Sequence, residues 1–110
     1  PALTPRNLTA MAYDSLRGVV VLFGGRDPSL KGDTWEYDGV NWTQLTPATN
    51  PGDRDTFGMC YDVARGVVVL FGGKDGGTNP IGQTWEYDPV ANTWANVSPV
   101  AVPTPAPRWG

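Results

Sequence analysis

Tyr13-Asp14-Ser15-Leu16-Arg17-Gly18-Val19-Val20-Val21-Leu22-Phe23-Gly24-Gly25 returns as Tyr61-Asp62-Val63-Ala64-Arg65-Gly66-Val67-Val68-Val69-Leu70-Phe71-Gly72-Gly73, identical at eleven of thirteen positions. An apolar run of β-branched residues bounded by turn residues reads as a strand buried on both faces, not as a half-solvated one. The Asp-x-x-Arg-Gly stretch before it predicts a type I turn followed by a left-handed glycine, so the run pairs back on the strand that precedes it. The repeat offset is 48 at this stretch, 50 for Thr34-Trp35-Glu36-Tyr37-Asp38 against Thr84-Trp85-Glu86-Tyr87-Asp88, and 52 for Trp42 against Trp94. Each added pair of residues falls in a loop. Arg6 and Arg54, each seven residues before the tyrosine, mark the start of each unit, and Arg108 repeats the mark near the end.

Four strands are predicted per unit. The first covers Leu8 to Tyr13 and Phe57 to Tyr61, the second Gly18 to Phe23 and Gly66 to Phe71. The third starts at Trp35 and Trp85, with Trp35 and Tyr37 on one face and Glu36 and Asp38 on the other. The fourth covers Asn41 to Leu45 and Asn92 to Val97. Polar loops of different length, Arg26 to Gly32 and Lys74 to Gly82, follow the glycine pairs, and Pro-rich linkers, Thr46 to Gly52 and Ser98 to Pro107, end the units. The expected division is 1–52 for the first unit with its leading linker, 53–102 for the second, and 103–110 for a Pro-rich linker and the start of a truncated third.

The rest of the composition narrows the function classes. Eight basic and eleven acidic residues give a net charge of −3 with no run of like charge, which speaks against a nucleic-acid partner. No apolar stretch approaches the length of a membrane span, so no membrane role is expected, and nothing addresses the chain to a compartment. Cys60 is the lone cysteine, and histidine is absent. Without histidine the most frequent general base and transition-metal ligand is missing, so no enzyme activity, no metal and no cofactor are expected.

The doubled glycine after an apolar strand (Gly24-Gly25, Gly72-Gly73), then a tyrosine (Tyr37, Tyr87) and a spaced tryptophan (Trp42, Trp94), resembles the kelch repeat. The resemblance covers essentially the whole chain. It implies an all-β fold of two four-stranded antiparallel propeller blades. Kelch propellers usually hold six or seven blades, whereas two blades leave two outer faces apolar, beyond the roughly few hundred Å² that soluble monomers tolerate. The chain is therefore expected to be a non-enzymatic scaffold module that closes a propeller by homo-oligomerisation, a six-bladed trimer favoured over a tetramer. Both cuts fall between blades, as expected of a fragment, a designed repeat or a reduced ancestor-like chain. The alternative is a piece of a larger propeller with an enzymatic or carbohydrate-binding role, its functional residues on blades absent here.

The resemblance also places Arg6, Arg54 and Arg108 at one mouth of the central channel, where they, with Arg26 and Lys74 of the loops, would bind an acidic ligand or protein segment. The plainer reading pairs the arginines with Asp53, Asp55 or loop carbonyls. Asp27 and Asp75 suit Asx turns better than a cation site. Asp14/Arg17 and Asp62/Arg65 with Glu36 and Glu86 read as ion pairs tying each hairpin to the next strand, because catalysis needs one asymmetric site whereas packing repeats. Trp35, Trp42, Trp85 and Trp94 read as packing residues in preference to sugar platforms, and Trp109 stands outside the repeat. The sequons at Asn7, Asn41 and Asn96 read as incidental.

Overall fold

The computed structural model describes residues 3–76 and 79–98. Each Val-Val-Val-Leu-Phe run is a strand because its branched side chains pack on a pleated surface at no loss of helical rotamers. The first sheet holds β1 (Ala10–Asp14), β2 (Val19–Arg26), β3 (Leu30–Tyr37) and β4 (Trp42–Leu45), side by side in chain order and antiparallel. The second repeats it with β5 (Gly58–Asp62), β6 (Val67–Phe71), β7 (Thr84–Asp88) and β8 (Thr93–Asn96). Register repeats as well: Met11 lies opposite Leu22 and Met59 opposite Leu70, Trp35 opposite Leu22 and Trp85 opposite Leu70.

The first hairpin turns have the expected chemistry. Asp14 Oδ1 accepts the amides of Leu16 and Arg17, each at 3.1 Å, and Gly18 closes the turn at φ 71° by donating to the Asp14 carbonyl at 2.8 Å. Gly66 does the same at φ 68° from Asp62. An L side chain is disfavoured in that region of φ, which is why glycine follows the arginine in both units.

The segment after the first glycine pair departs from the expected loop. β2 and β3 stay paired through Gly25 opposite Lys31 and Arg26 opposite Leu30, past a register shift between Phe23 and Gly25. Only residues 27–29 are left to turn. The counterpart 72–83 leaves the ladder after Phe71, and Lys74 makes isolated bridges to Asp55 and Pro80. Pro80 has no N–H to continue a ladder, and the glycines around it supply no side chain to pack.

Side chains of directly opposed residues share a face, so each sheet has two. Ala12, Val21, Phe23 and Thr34 project from one face of the first sheet; Val68, Leu70, Tyr87 and Trp94 project from the opposite-type face of the second. These two faces meet and form the core together with Phe57. The sequence expectation that β2 and β6 are buried on both faces holds for β2 at its centre, where Leu22 and the Trp35 opposite it are buried on the outer face, and on one side only for β6. Val21 and Phe23 are buried while Val20 is half-buried; Val68 and Leu70 are buried while Val67, Val69 and Phe71 are half-buried. Two sheets share one interface, so the other face of each is covered only in part, at Leu22 and Trp35 in the first sheet.

Candidate functional site

The charged end of the molecule is built from the glycine pairs and the segments leading into β1 and β5. Arg6 donates to the Gly24 carbonyl at 3.2 Å and to Asp33 Oδ1 at 2.7 Å, and Asp33 Oδ2 accepts the Trp35 indole N–H at 2.7 Å. Arg54 repeats the arrangement with one substitution. It donates to the Gly72 carbonyl at 3.1 Å, to the Pro51 carbonyl and to Gln83 Oε1 at 3.2 Å, and Gln83 Oε1 accepts the Trp85 indole N–H at 3.0 Å. A carboxylate answers the first arginine, a neutral amide the second.

That difference sets the electrostatics. Burial works to raise the Asp33 carboxyl, but the hydrogen bonds from Arg6 and Trp35 outweigh it and hold the group below its ordinary value. Arg54 is 2% exposed, its Nε has no acceptor among the described residues, and burial pushes its pKa down to about 10. A buried guanidinium held by neutral acceptors alone is an unfavourable arrangement.

Arg26 turns the other way and donates from Nε to Asp55 Oδ2 of the second sheet at 3.1 Å. Asp55 is buried. Thus Arg6, Arg26 and Arg54 all have acceptors within the chain, at Asp33, Asp55 and loop carbonyls, and Asp53 takes no part in these bonds. Lys74 lies at the same end, bridged to Asp55 and Pro80 through its backbone; Arg108 lies outside the described residues. Asp33 and Gln83 were not singled out from the sequence. The signal for them is their shared position two residues before the third-strand tryptophan.

At the opposite end the turn arginines tie hairpin to strand as the repeat suggests. Arg17 pairs with Asp14 at 2.8 Å and with Glu36, and Arg65 pairs with Asp62 at 2.8 Å and Glu86 at 2.6 Å. Burial works to raise the Asp14 carboxyl, yet hydrogen bonds from Arg17 and from the Tyr61 hydroxyl of the second sheet bring it below the ordinary value. Asp75 accepts the Asn79 amide at 3.1 Å, in line with a local turn. Asp27 differs from the expected Asx turn: it accepts the Thr4 hydroxyl and pairs with Lys31 at 3.4 Å. Among the described residues no group of three or more acidic, histidine or cysteine side chains is placed to hold a metal ion.

The joint between the sheets is the most specific arrangement in the molecule. The Trp94 indole N–H donates to Thr34 Oγ1 at 3.0 Å, and the Phe23 ring stands edge-on to Trp94 at 5.2 Å and to Phe57 at 5.8 Å. Backbone bonds cross it too, from Gly25 N to the Arg54 carbonyl at 3.0 Å and from Thr56 N to the Leu8 carbonyl at 3.0 Å. Gly24, at φ 62°, is required there, since a Cβ would sit 2.8 Å from the Arg54 carbonyl oxygen.

The two outer faces carry the same residue pattern without the cover. Tyr87 and Trp94 are buried, whereas Tyr37 and Trp42 are half-buried and lean on each other at 5.0 Å. Met11 and Tyr13 stand 56% and 59% exposed where Met59 and Tyr61 are half-buried. On the other side Ala12 is buried and its counterpart Cys60 exposed. Of the four repeated tryptophans, Trp35 and Trp94 are packed as expected, while Trp42 and Trp85 are only partly covered. Trp109 lies outside the described residues.

Residues 57–100 match the family model for the Kelch motif. No curated protein matches the chain. The matched segment spans the second sheet, and the first sheet repeats its strand order, its register and its arginine–glycine–tryptophan bonding, so the chain carries a Kelch motif in its second sheet and the same pattern in its first.

Proposed function

We propose that this two-blade kelch module has no catalytic activity of its own and completes a propeller by self-association, three chains supplying six blades. One observation carries the reading: apart from Leu70, whose counterpart Leu22 is itself buried, the side chains buried in the joint between the two sheets recur half-buried or exposed on the outer faces, as Val20, Tyr37 and Trp42 on one and Cys60, Val69, Phe71 and Thr84 on the other. A sheet face built of Val20, Tyr37 and Trp42 gains by leaving water, and each buried side chain of this size contributes about 1.5–3 kcal/mol. The two faces are unlike each other and each resembles one half of the internal joint. Association is therefore head to tail, and a head-to-tail contact repeats until a ring closes.

The non-catalytic reading is supported by the charged groups that recur in both sheets. Arg17 with Asp14 and Glu36, and Arg65 with Asp62 and Glu86, are spent on the same contact in each blade. An acidic ligand or protein segment at the arginine-bearing end is a further part of the reading, with Arg26 as its anchor because that side chain keeps 37% of its surface exposed while paired to Asp55. Light scattering of the purified chain tests the assembly: about three chains per particle is the expected result. A folded monomer persisting at micromolar concentration rules it out.

A further inference from the structure

Two joints of the same kind are implied by a head-to-tail ring, one inside the chain and one between chains, and their residues differ at only a few points. Resting on the reading that copies associate, we infer that the open face of the second sheet (Cys60, Val69, Phe71, Thr84) seats on the open face of a second copy (Tyr13, Val20, Tyr37, Trp42) in the geometry of the internal joint, with Asn7 and Thr9 setting its strength.

The internal joint transposes contact by contact. Trp94 donating to Thr34 becomes Trp42 donating to Thr84, and the edge contact of Phe23 with Trp94 becomes Phe71 with Trp42. The backbone is already set for it. Thr56, whose amide bonds the Leu8 carbonyl across the internal joint, holds φ 56°, and its counterpart Leu8 holds φ 58°. A non-glycine residue adopts that region only where surroundings impose it.

Two contacts do not transpose. Phe57, edge-on to Phe23 at 5.8 Å, corresponds to Thr9, so Phe71 meets a small polar side chain. Asp55, which pairs with Arg26 at 3.1 Å, corresponds to Asn7 and Arg26 to Lys74, so the ion pair across the joint has no carboxylate at its second-copy position. The joint between copies thus lacks the aromatic edge contact and the ion pair that fix the one within the chain, and its formation depends on concentration. A Cβ on Gly25 would lie 2.7 Å from the Thr9 Cβ just as one on Gly73 would lie 2.9 Å from the Phe57 Cβ, so positions 9 and 57 share one backbone arrangement.

Sedimentation equilibrium on the full chain tests this with three variants. Thr9→Phe together with Asn7→Asp is expected to tighten association by about tenfold or more, the order expected of an added aromatic pair and a charge pair. Asn7→Asp alone should give a smaller gain that shrinks as salt is raised. Cys60→Arg, at an exposed position that leaves the internal core untouched, should abolish association while circular dichroism stays that of the wild type. Alkylation of Cys60 should slow as wild-type chains associate. Association that ignores both Cys60→Arg and the double variant overturns the joint and leaves the assembly reading standing. A monomeric wild type beside an assembling double variant supports the joint and overturns the reading for the natural sequence. Monomers throughout overturn both.

Discussion

Replacing Gln83 by Asp should stabilise the protein, because the first sheet already shows the better arrangement. There Asp33 lies 2.7 Å from Arg6 and still accepts the Trp35 indole, whereas Gln83 offers Arg54 only a neutral oxygen at 3.2 Å. A hydrogen bond to a charged group contributes about 1.5–3 kcal/mol. Placing the carboxylate offsets part of that, since desolvating an ion is costly, but Asp33 keeps 20% of its side chain exposed and its counterpart would do likewise. The net expectation is about 1–2 kcal/mol, or about 4–8 °C in the melting midpoint. The gain has a defined pH window. A carboxyl whose folded pKa lies below its unfolded value of about 3.9 stabilises fully above that value and loses the contribution as pH falls through the folded pKa. Thermal unfolding followed by circular dichroism, at one protein concentration at pH 7 and pH 2.5, reads both parts. A variant that melts with the wild type at pH 7, or keeps its advantage at pH 2.5, refutes the account of Arg54 as a buried cation without a counter-charge.

The internal joint supplies further expectations. Gly24→Ala forces a side chain into the left-handed region and toward the Arg54 carbonyl, and should lower stability by about 1–3 kcal/mol in urea titration. Phe23→Ala removes the ring between Phe57 and Trp94 and should destabilise by about 3–5 kcal/mol, measured the same way. Trp94→Phe keeps most of the buried surface but takes away the donor to Thr34, for a loss of about 1 kcal/mol from the hydrogen bond. Asp14, whose carboxyl is held below its ordinary value by Arg17 and Tyr61, contributes stability above about pH 4 that disappears as acid protonates it. Asp14→Asn should therefore lose less stability between pH 5 and pH 2 than the wild type; equal losses would show that this group does not govern acid unfolding.

Much of this was legible from the thirteen-residue repeat. The apolar run, the Asp-x-x-Arg-Gly turn and the later tryptophan specify strand, hairpin and third strand from local chemistry, and the strands stand within a few residues of where they are expected except β3, which starts at Leu30, five residues before Trp35. The ion pairs of Arg17 and Arg65 were legible too, because a charge constellation that recurs unit by unit answers a structural need. Less legible was the fate of the arginines. Their acceptors Asp33 and Gln83 lie 27 and 29 residues away, and only the fold of β2 onto β3 brings them near. The hairpin at residues 27–29 was also hidden, since a bulge at Gly24 lets pairing resume with Arg26 and Leu30 although the composition there is that of a loop.

From sequence alone followed two four-stranded units, because periodicity and turn residues act within a dozen positions and need no neighbour. Tertiary structure alone decided which face of each sheet is covered. That choice lies in how Phe23, Thr34 and Arg26 meet Trp94, Phe57 and Asp55 across the joint, contacts between residues far apart in the chain whose partners no local pattern can name.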